Sequence, residues 1–248
     1  MDADPGLYGR SFADVYDEWY ADVSDVNTTV SRLSRLADGG PILELGSGTG
    51  RLAHPLRAAG ADVVALDVSP EMNRRLAAKN GGDDRCPLVE ADMSVLPMRT
   101  RSFAVVFIAY NTICNLTAPQ AQRRCLAEAA RVIEPGGHLA VEVLIPPDPA
   151  LTPDQGTSLR SDDGDVTVLT STRRGDDAHH VIGRHIEIHT DGRRRIRPWE
   201  LRWVSPTELD QLAARAGLAL VERSADWAGT PFGPRADAHV SIYQPAFG

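Results

Sequence analysis

Pro41-Ile42-Leu43-Glu44-Leu45-Gly46-Ser47-Gly48-Thr49-Gly50-Arg51 decides the fold. The apolar residues 42–45, interrupted by Glu44, read as a buried strand. The strand breaks at Gly46, and glycines alternate through Gly48 and Gly50. Leu52 and Leu56 then stand one helical turn apart. Strand, glycine turn and helix open a nucleotide-binding α/β unit. The glycines permit a tight turn and the approach of a ligand where a Cβ would clash. The helix start offers unpaired N–H groups to that ligand.

Departures from better-known glycine turns narrow the ligand. A dinucleotide turn, GxGxxG, needs glycine at position 51, which is Arg51. A phosphate loop needs Gly-Lys-Ser/Thr, which is absent. Glu44, just before the turn, suits a cationic or amine-bearing ligand better than a pyrophosphate. Two further strands are expected to end on acids. Residues 63–67 form a buried run ending in Asp67, where an acid holds ribose hydroxyls in such units. Residues 88–93 end in Asp92 and Met93. Ser69-Pro70-Glu71 supplies a helix start between them, with Met72 facing inward.

An acid followed by GxGxG, with Asp67 and Asp92 at the next two strand tips, resembles the class I S-adenosylmethionine (SAM) methyltransferases. The resemblance implies a Rossmann-like α/β fold: a seven-stranded sheet with the last strand antiparallel and helices on both faces. It implies SAM as cofactor. Glu44, Gly46, Ser47, Gly48, Gly50 and Arg51 would then serve its methionine part, Asp67, Val68 and Met72 its ribose side, and Asp92 and Met93 its adenine. Ala109, at the end of the strand over 103–108, joins this set.

Residues 7–20 carry Phe12, Tyr16 and Tyr20 at i, i+4 and i+8, opposite Asp14, Asp17 and Glu18. The spacing predicts one amphipathic helix. Its segment Phe-Ala-Asp-Val-Tyr-Asp-Glu-Trp-Tyr is similar to the N-terminal lid of antibiotic-pathway amine methyltransferases. That resemblance implies Tyr20 near the reacting amine and Tyr16 nearer SAM. The C-terminal half resembles peptide N-terminal methyltransferases of bacterial natural-product pathways. A second helix is expected over 27–36. The polar run Tyr110-Asn111-Thr112-Ile113-Cys114-Asn115 follows the fourth strand at the ligand edge, which makes Asn111 a catalytic and Asn115 an acceptor candidate. Thr117-Ala-Pro-Gln120 reads as a capping box for a long helix ending near Ile133. A fifth strand over 139–145 ends at Pro146-Pro147.

The expected organisation is a helical lid over 1–40, a SAM-binding core over 41–147, an inserted antiparallel cap over 148–204, and the end of the core sheet over 205–248. The cap shows three strands by alternation and turn residues: 166–172, 181–189 and 195–203. His185, Glu187 and His189 share one face of the second; Trp199, Leu201 and Trp203 share one face of the third. His185 and Trp199 are therefore acceptor candidates, with Trp227 and Phe232 of the loop before the last strand. His185 or His189 would be the base if the acceptor were a hydroxyl. Arg193, Arg194, Arg195, Arg197 and Arg202 read as a solvated strand edge, with contact to an acidic substrate as the alternative. Ser205-Pro206-Thr207-Glu208 starts a further helix.

The chain of 248 residues has a formal net charge of −8, which disfavours a nucleic-acid backbone as partner. Its three cysteines, Cys86, Cys114 and Cys125, have no metal or redox spacing, and no metal is expected. No apolar run is long enough to span a membrane, and the acidic N-terminus is no signal peptide; a cytoplasmic setting follows. The function expected is methyl transfer from SAM to a small-molecule or short-peptide acceptor in secondary metabolism, with amine nitrogen favoured. An O-methyltransferase, a SAM-binding partner protein without turnover, and an NAD-dependent oxidoreductase are the alternatives. The oligomeric state is open.

Overall fold

The computed structural model describes residues 4, 6–21, 23–81, 85–145 and 155–246. The expected strand end at Pro146-Pro147 and the start of the cap at 148 lie outside them.

The central sheet has seven strands: β1 (Ile42–Leu45), β2 (Val63–Asp67), β3 (Leu88–Glu90), β4 (Phe103–Ile108), β5 (Ile133–Leu144), β10 (Leu218–Ser224) and β11 (Ala238–Pro245). Their spatial order is β10-β11-β5-β4-β1-β2-β3. β1, β2, β3, β4 and β5 run parallel. β11 is antiparallel to both β5 and β10, so the last strand alone is reversed. Every residue of β1 and β4 is buried, as expected for parallel strands covered on both faces.

Among the described residues, seven α-helices cover the sheet and carry the N-terminal segment: α1 (Leu7–Phe12), α2 (Tyr16–Trp19), α3 (Val26–Ala37), α4 (Ala53–Ala58), α5 (Pro70–Lys79), α6 (Pro119–Val132) and α7 (Pro206–Arg215). One core layer joins Cys125, Leu126, Ala129 and Leu209 of α6 and α7 to the sheet. The other joins Val30, Leu33 and Leu56 of α3 and α4. α5 begins as the sequence predicts: Ser69 Oγ accepts from Met72 N at 3.3 Å, with Pro70 in the first turn. α7 repeats this with Ser205 and Glu208 N.

Three local expectations need correction. Residues 7–20 form two short helices, because the chain turns at Ala13 and Asp14 to aim the Asp14 carboxylate at Arg197. Thr117 is not a cap: Pro119 takes the first helical turn, where its fixed φ fits, leaving Ala118 as N-cap without a side-chain bond. The helix after the glycine turn starts at Ala53, since Gly50 holds a φ of +84°.

The second sheet has four antiparallel strands in the order β6 (Gln155–Asp162), β7 (Val166–Arg174), β8 (His180–His189), β9 (Arg194–Arg202). β6 was not expected; apart from Gly156 and Leu159 its sequence is polar, and it shows no alternation. α1 packs against β9. Arg193, Arg194 and Arg195 are exposed at the sheet edge, as expected, but Arg197 and Arg202 are not. Arg197 and Arg202 are 2% and 7% exposed. Arg197 donates to Ser11 O and to Asp14 at 2.6 Å each, and pairs with Glu187. Arg202 donates to Gln122 Oε1 at 2.8 Å and pairs with Glu208 at 2.9 Å.

Candidate active site

A cavity of about 360 Å³ opens at the C-terminal edge of the parallel strands, between the glycine turn, the N-terminal helices and the cap sheet. Such crevices are where open α/β sheets bind ligands.

One end is built by the glycine turn and the strand tips. Gly46 has φ +71°, and a Cβ there would lie 2.2 Å from Thr112 Cγ2. Gly48 has φ +56°, and a Cβ there would meet only the Tyr16 ring and Met72 Sδ, at 3.8–4.0 Å. The turn is therefore open toward the cavity and roofed by a tyrosine. Asp67 Oδ2 accepts from Gly48 N and Oδ1 from Ser69 N, both at 2.8 Å. Burial raises the Asp67 pKa, opposed by those backbone donors. Asp92 and Met93 line the same end.

Glu44 and Ser47 are buried but do not line the cavity. Glu44 Oε2 and Ser47 Oγ have no hydrogen-bond partner among the described residues. Burial pushes the Glu44 pKa up to about 8 against the pull of Arg51. Arg51 donates to Ser24 Oγ at 2.6 Å, and Gly50 and Ala109 also lie outside the cavity lining.

The other end is aromatic. Tyr16 and Tyr20 have ring centroids 4.9 Å apart, and Tyr20 and Tyr110 5.9 Å apart. Tyr110 and Asn111 occupy consecutive left-handed conformations, φ +41° and +60°, which cost energy in non-glycine residues. Three bonds to β5 hold them: Tyr110 N donates to Glu142 Oε2 at 2.9 Å, Asn111 N to Glu142 O at 3.2 Å, and Leu144 N to Asn111 Oδ1 at 2.8 Å. Asn115 lines the cavity nearby, with an unpartnered Oδ1.

The cap sheet supplies His185, Trp199, Leu201 and Trp203. His185 Nδ1 bonds Thr170 Oγ1 at 2.9 Å, and its ring is edge-on to Phe12 and Trp19. Burial, then the charges of Arg160 and Arg197, push its pKa down to about 4, so it is neutral at physiological pH. His189 does not reach the cavity; it lies 3.7 Å from Glu187.

The structure does not bring Trp227 or Phe232 here. Trp227 is buried in the core layer of α3 and α4, and Phe232 stands against His239 and Arg223. Sequence reasoning left out Tyr8, Tyr110, Arg160 and Thr170 as site residues, although all line the cavity. Tyr8 continues the Phe12, Tyr16, Tyr20 spacing one turn earlier and was findable; Arg160 lies on the unexpected strand. No group of three His, Cys, Asp or Glu among the described residues is placed to hold a metal. No helix among them is long and apolar enough to cross a membrane.

An open glycine turn, carboxylates at three successive strand tips and an aromatic roof fit SAM, whose cationic methionine part, ribose and adenine call for those groups. Residues 42–137 match the family described as a methyltransferase domain. The chain belongs to the SAM-dependent methyltransferases. Within them it is 31% identical to a demethylmenaquinone methyltransferase of Clavibacter sepedonicus, over 79% of this chain and 78% of that one. It is 26% identical to the cypemycin N-terminal methyltransferase of a Streptomyces species, over 94% and 95% of the two chains. Its structure is similar to that of the CcbJ methyltransferase of Streptomyces caelestis: TM-score 0.89, 33% identity, 98% of this chain and 99% of that one. The chain is thus a methyltransferase that uses SAM, and the dinucleotide alternative falls away.

Proposed function

We propose that this enzyme methylates an amine nitrogen of a small-molecule or short-peptide acceptor. SAM, when bound, supplies a methyl carbon activated by its sulfonium. Asp67 holds the ribose, Asp92 and Met93 flank the adenine, and the backbone of Gly46 to Gly50 receives the methionine part. Glu44 favours the cationic end of that part. Tyr16 covers it. Residues 1–40 act as the lid, and the cap over 148–204 closes the acceptor side. Tyr20, Asn115, His185 and Trp199 contact the acceptor. Asn111, its oxygen tied to Leu144, serves as a positioning residue.

The observation that favours nitrogen is that His185, the one histidine among the described residues lining the cavity, is a weak base. Methyl transfer needs the nucleophile about 3 to 3.5 Å from the methyl carbon and in line with the leaving sulfur. A hydroxyl also needs a base whose pKa lies near the working pH. His185 is pushed down to about 4, and burial raises the tyrosines Tyr8, Tyr16 and Tyr110, which keeps them protonated. An amine needs no such group, because its free base exists in solution. What the site supplies is alignment and exclusion of water.

A single probe tests this. 4-(Hydroxymethyl)benzylamine offers both nucleophiles in one molecule. Incubated with the enzyme and methyl-labelled SAM, it should carry the label on nitrogen, read by tandem mass spectrometry. Label on oxygen would overturn the nitrogen assignment. The match to a peptide N-terminal methyltransferase over nearly its full length favours a second acceptor class, a free peptide N-terminus.

A further inference from the structure

Arg160 is the one permanent cation among the described residues that line the cavity. Three observations make it more than a surface arginine. First, it sits at a break in strand register. Leu159 pairs with Leu169 and Ser161 with Val168, so Arg160 is the extra residue of a bulge between β6 and β7. Bulges re-aim a side chain, and they recur beside active sites. Secondly, its guanidinium lies 5.0 Å from the Trp19 ring centroid and 5.5 Å from that of Tyr20. Those faces hold a cation in place without neutralising it. Thirdly, no carboxylate among the described residues pairs with it, although Arg195, Arg197, Arg202 and Arg223 all find acids.

Charge in the cavity is therefore divided. The acids Asp67 and Asp92 lie with the glycine turn, and their oxygens accept from backbone N–H groups. The cation lies at the cap end, beside the hydroxyl-bearing rings of Tyr20 and Tyr110 and a neutral His185. Its field reaches them: it is among the influences that lower the His185 pKa, after burial. A solvent-exposed cation flanked by two aromatic rings, with no counter-charge among the described residues, is suited to an anion. The planar guanidinium fork matches a carboxylate or a phosphate through two parallel hydrogen bonds.

We propose that Arg160 reads an anionic group, carboxylate or phosphate, on the acceptor, at a distance from the nitrogen that is methylated. Arg160 thereby sets which amines enter the cavity. The inference rests on the cavity being the acceptor site, but not on which acceptor atom is methylated.

The test is a binding measurement, so that it stands apart from turnover. The enzyme is saturated with S-adenosylhomocysteine and titrated with 4-(aminomethyl)benzoate, 4-(aminomethyl)phenyl phosphate and the neutral 4-(aminomethyl)benzamide, followed by tryptophan fluorescence. At least one anion should bind about tenfold or more tightly than the amide, a difference of about 1.4 kcal/mol. The stronger of the two identifies the anion. In Arg160→Gln the preference should vanish, while S-adenosylhomocysteine affinity, measured by calorimetry, stays within about twofold of the parent. Arg160→Lys should keep part of it. Equal binding of anions and amide, binding of neither anion, or a preference that survives in Arg160→Gln overturns the proposal. Loss of S-adenosylhomocysteine affinity in Arg160→Gln also overturns it, by showing that Arg160 supports the cofactor. O-methylation in the earlier experiment would leave this result standing, so the two failures are distinguishable.

Discussion

Arg197 of the cap sheet grips Asp14 of the N-terminal segment with both ends of its guanidinium, Nη1 to Oδ1 at 2.6 Å and Nη2 to Oδ2 at 3.0 Å. The two residues lie 183 positions apart in the chain. The same guanidinium pairs with buried Glu187. One side chain thus ties the segment carrying Tyr16 and Tyr20 to the sheet carrying His185 and Trp199.

Removing that tie should be costly. Arg197→Met leaves Glu187, which is 6% exposed, as a buried acid without its arginine and with only His189 3.7 Å away. Breaking a buried pair costs about 3 to 5 kcal/mol, on the order of 10 °C in Tm at this length. Thermal denaturation should show the loss, and adding Glu187→Gln should restore most of it. If the double variant is no better than Arg197→Met alone, the buried charge is not the cause.

The N-terminal segment is also clasped at Asp17, which accepts from Thr49 Oγ1 at 2.5 Å and pairs with Lys79 at 2.8 Å. Burial raises the pKa of Asp14 and Asp17, but their cationic and hydroxyl partners outweigh it and hold both below the ordinary 3.8. A depressed folded pKa gives stability that is present above 3.8 and lost as pH falls through the lower folded value. Wild type should therefore lose more stability below about pH 3.8 than Asp14→Asn/Asp17→Asn, in denaturant titrations followed at Trp19. Equal losses would show that these carboxylates do not carry the acid sensitivity.

Glu44 has the opposite sign. With its folded pKa raised from 4.5 to about 8, the folded chain holds a proton that the unfolded chain releases. Stability of the ligand-free enzyme should fall as pH rises from 4.5 to 8. Glu44→Gln should flatten that slope in denaturant titrations and weaken SAM binding in calorimetry. A slope unchanged by the substitution would contradict the assignment.

Asp67 both braces the turn and faces the cavity. Asp67→Asn removes the charge and turns one of the two oxygens that accept from Gly48 N and Ser69 N into a donor, so hydrogen bonds from ribose hydroxyls and the brace of the turn should weaken together by about 1.5 kcal/mol or more, at least about tenfold in SAM affinity. Calorimetry checks this; unchanged affinity would rule out the ribose role.

What the sequence made legible follows from what repeats locally. The glycine turn, the three acids and the parallel strands could be read because buried strands and tight turns demand particular residues at fixed spacing. Trp199, Leu201 and Trp203 were placed on one face by alternation alone, and all three line the cavity. β6 was invisible because an exposed, polar edge strand has no apolar period, and Arg160 was lost with it. Arg197 and Arg202 were misjudged because only tertiary contact reveals that they meet acids from other elements, Glu187 and Glu208. Trp227 reads equally as a ligand contact or as core, and packing decides for core.

The central claim is that the acceptor nitrogen reacts as a free base, without a protein base. The pH dependence of kcat/KM for the amine, in wild type and in His185→Gln, tests it most directly. The account predicts that kcat/KM rises with pH along the ionisation of the amine itself, with the same apparent pKa in both proteins. A rising limb in wild type that is absent from His185→Gln would make His185 the base and contradict the account.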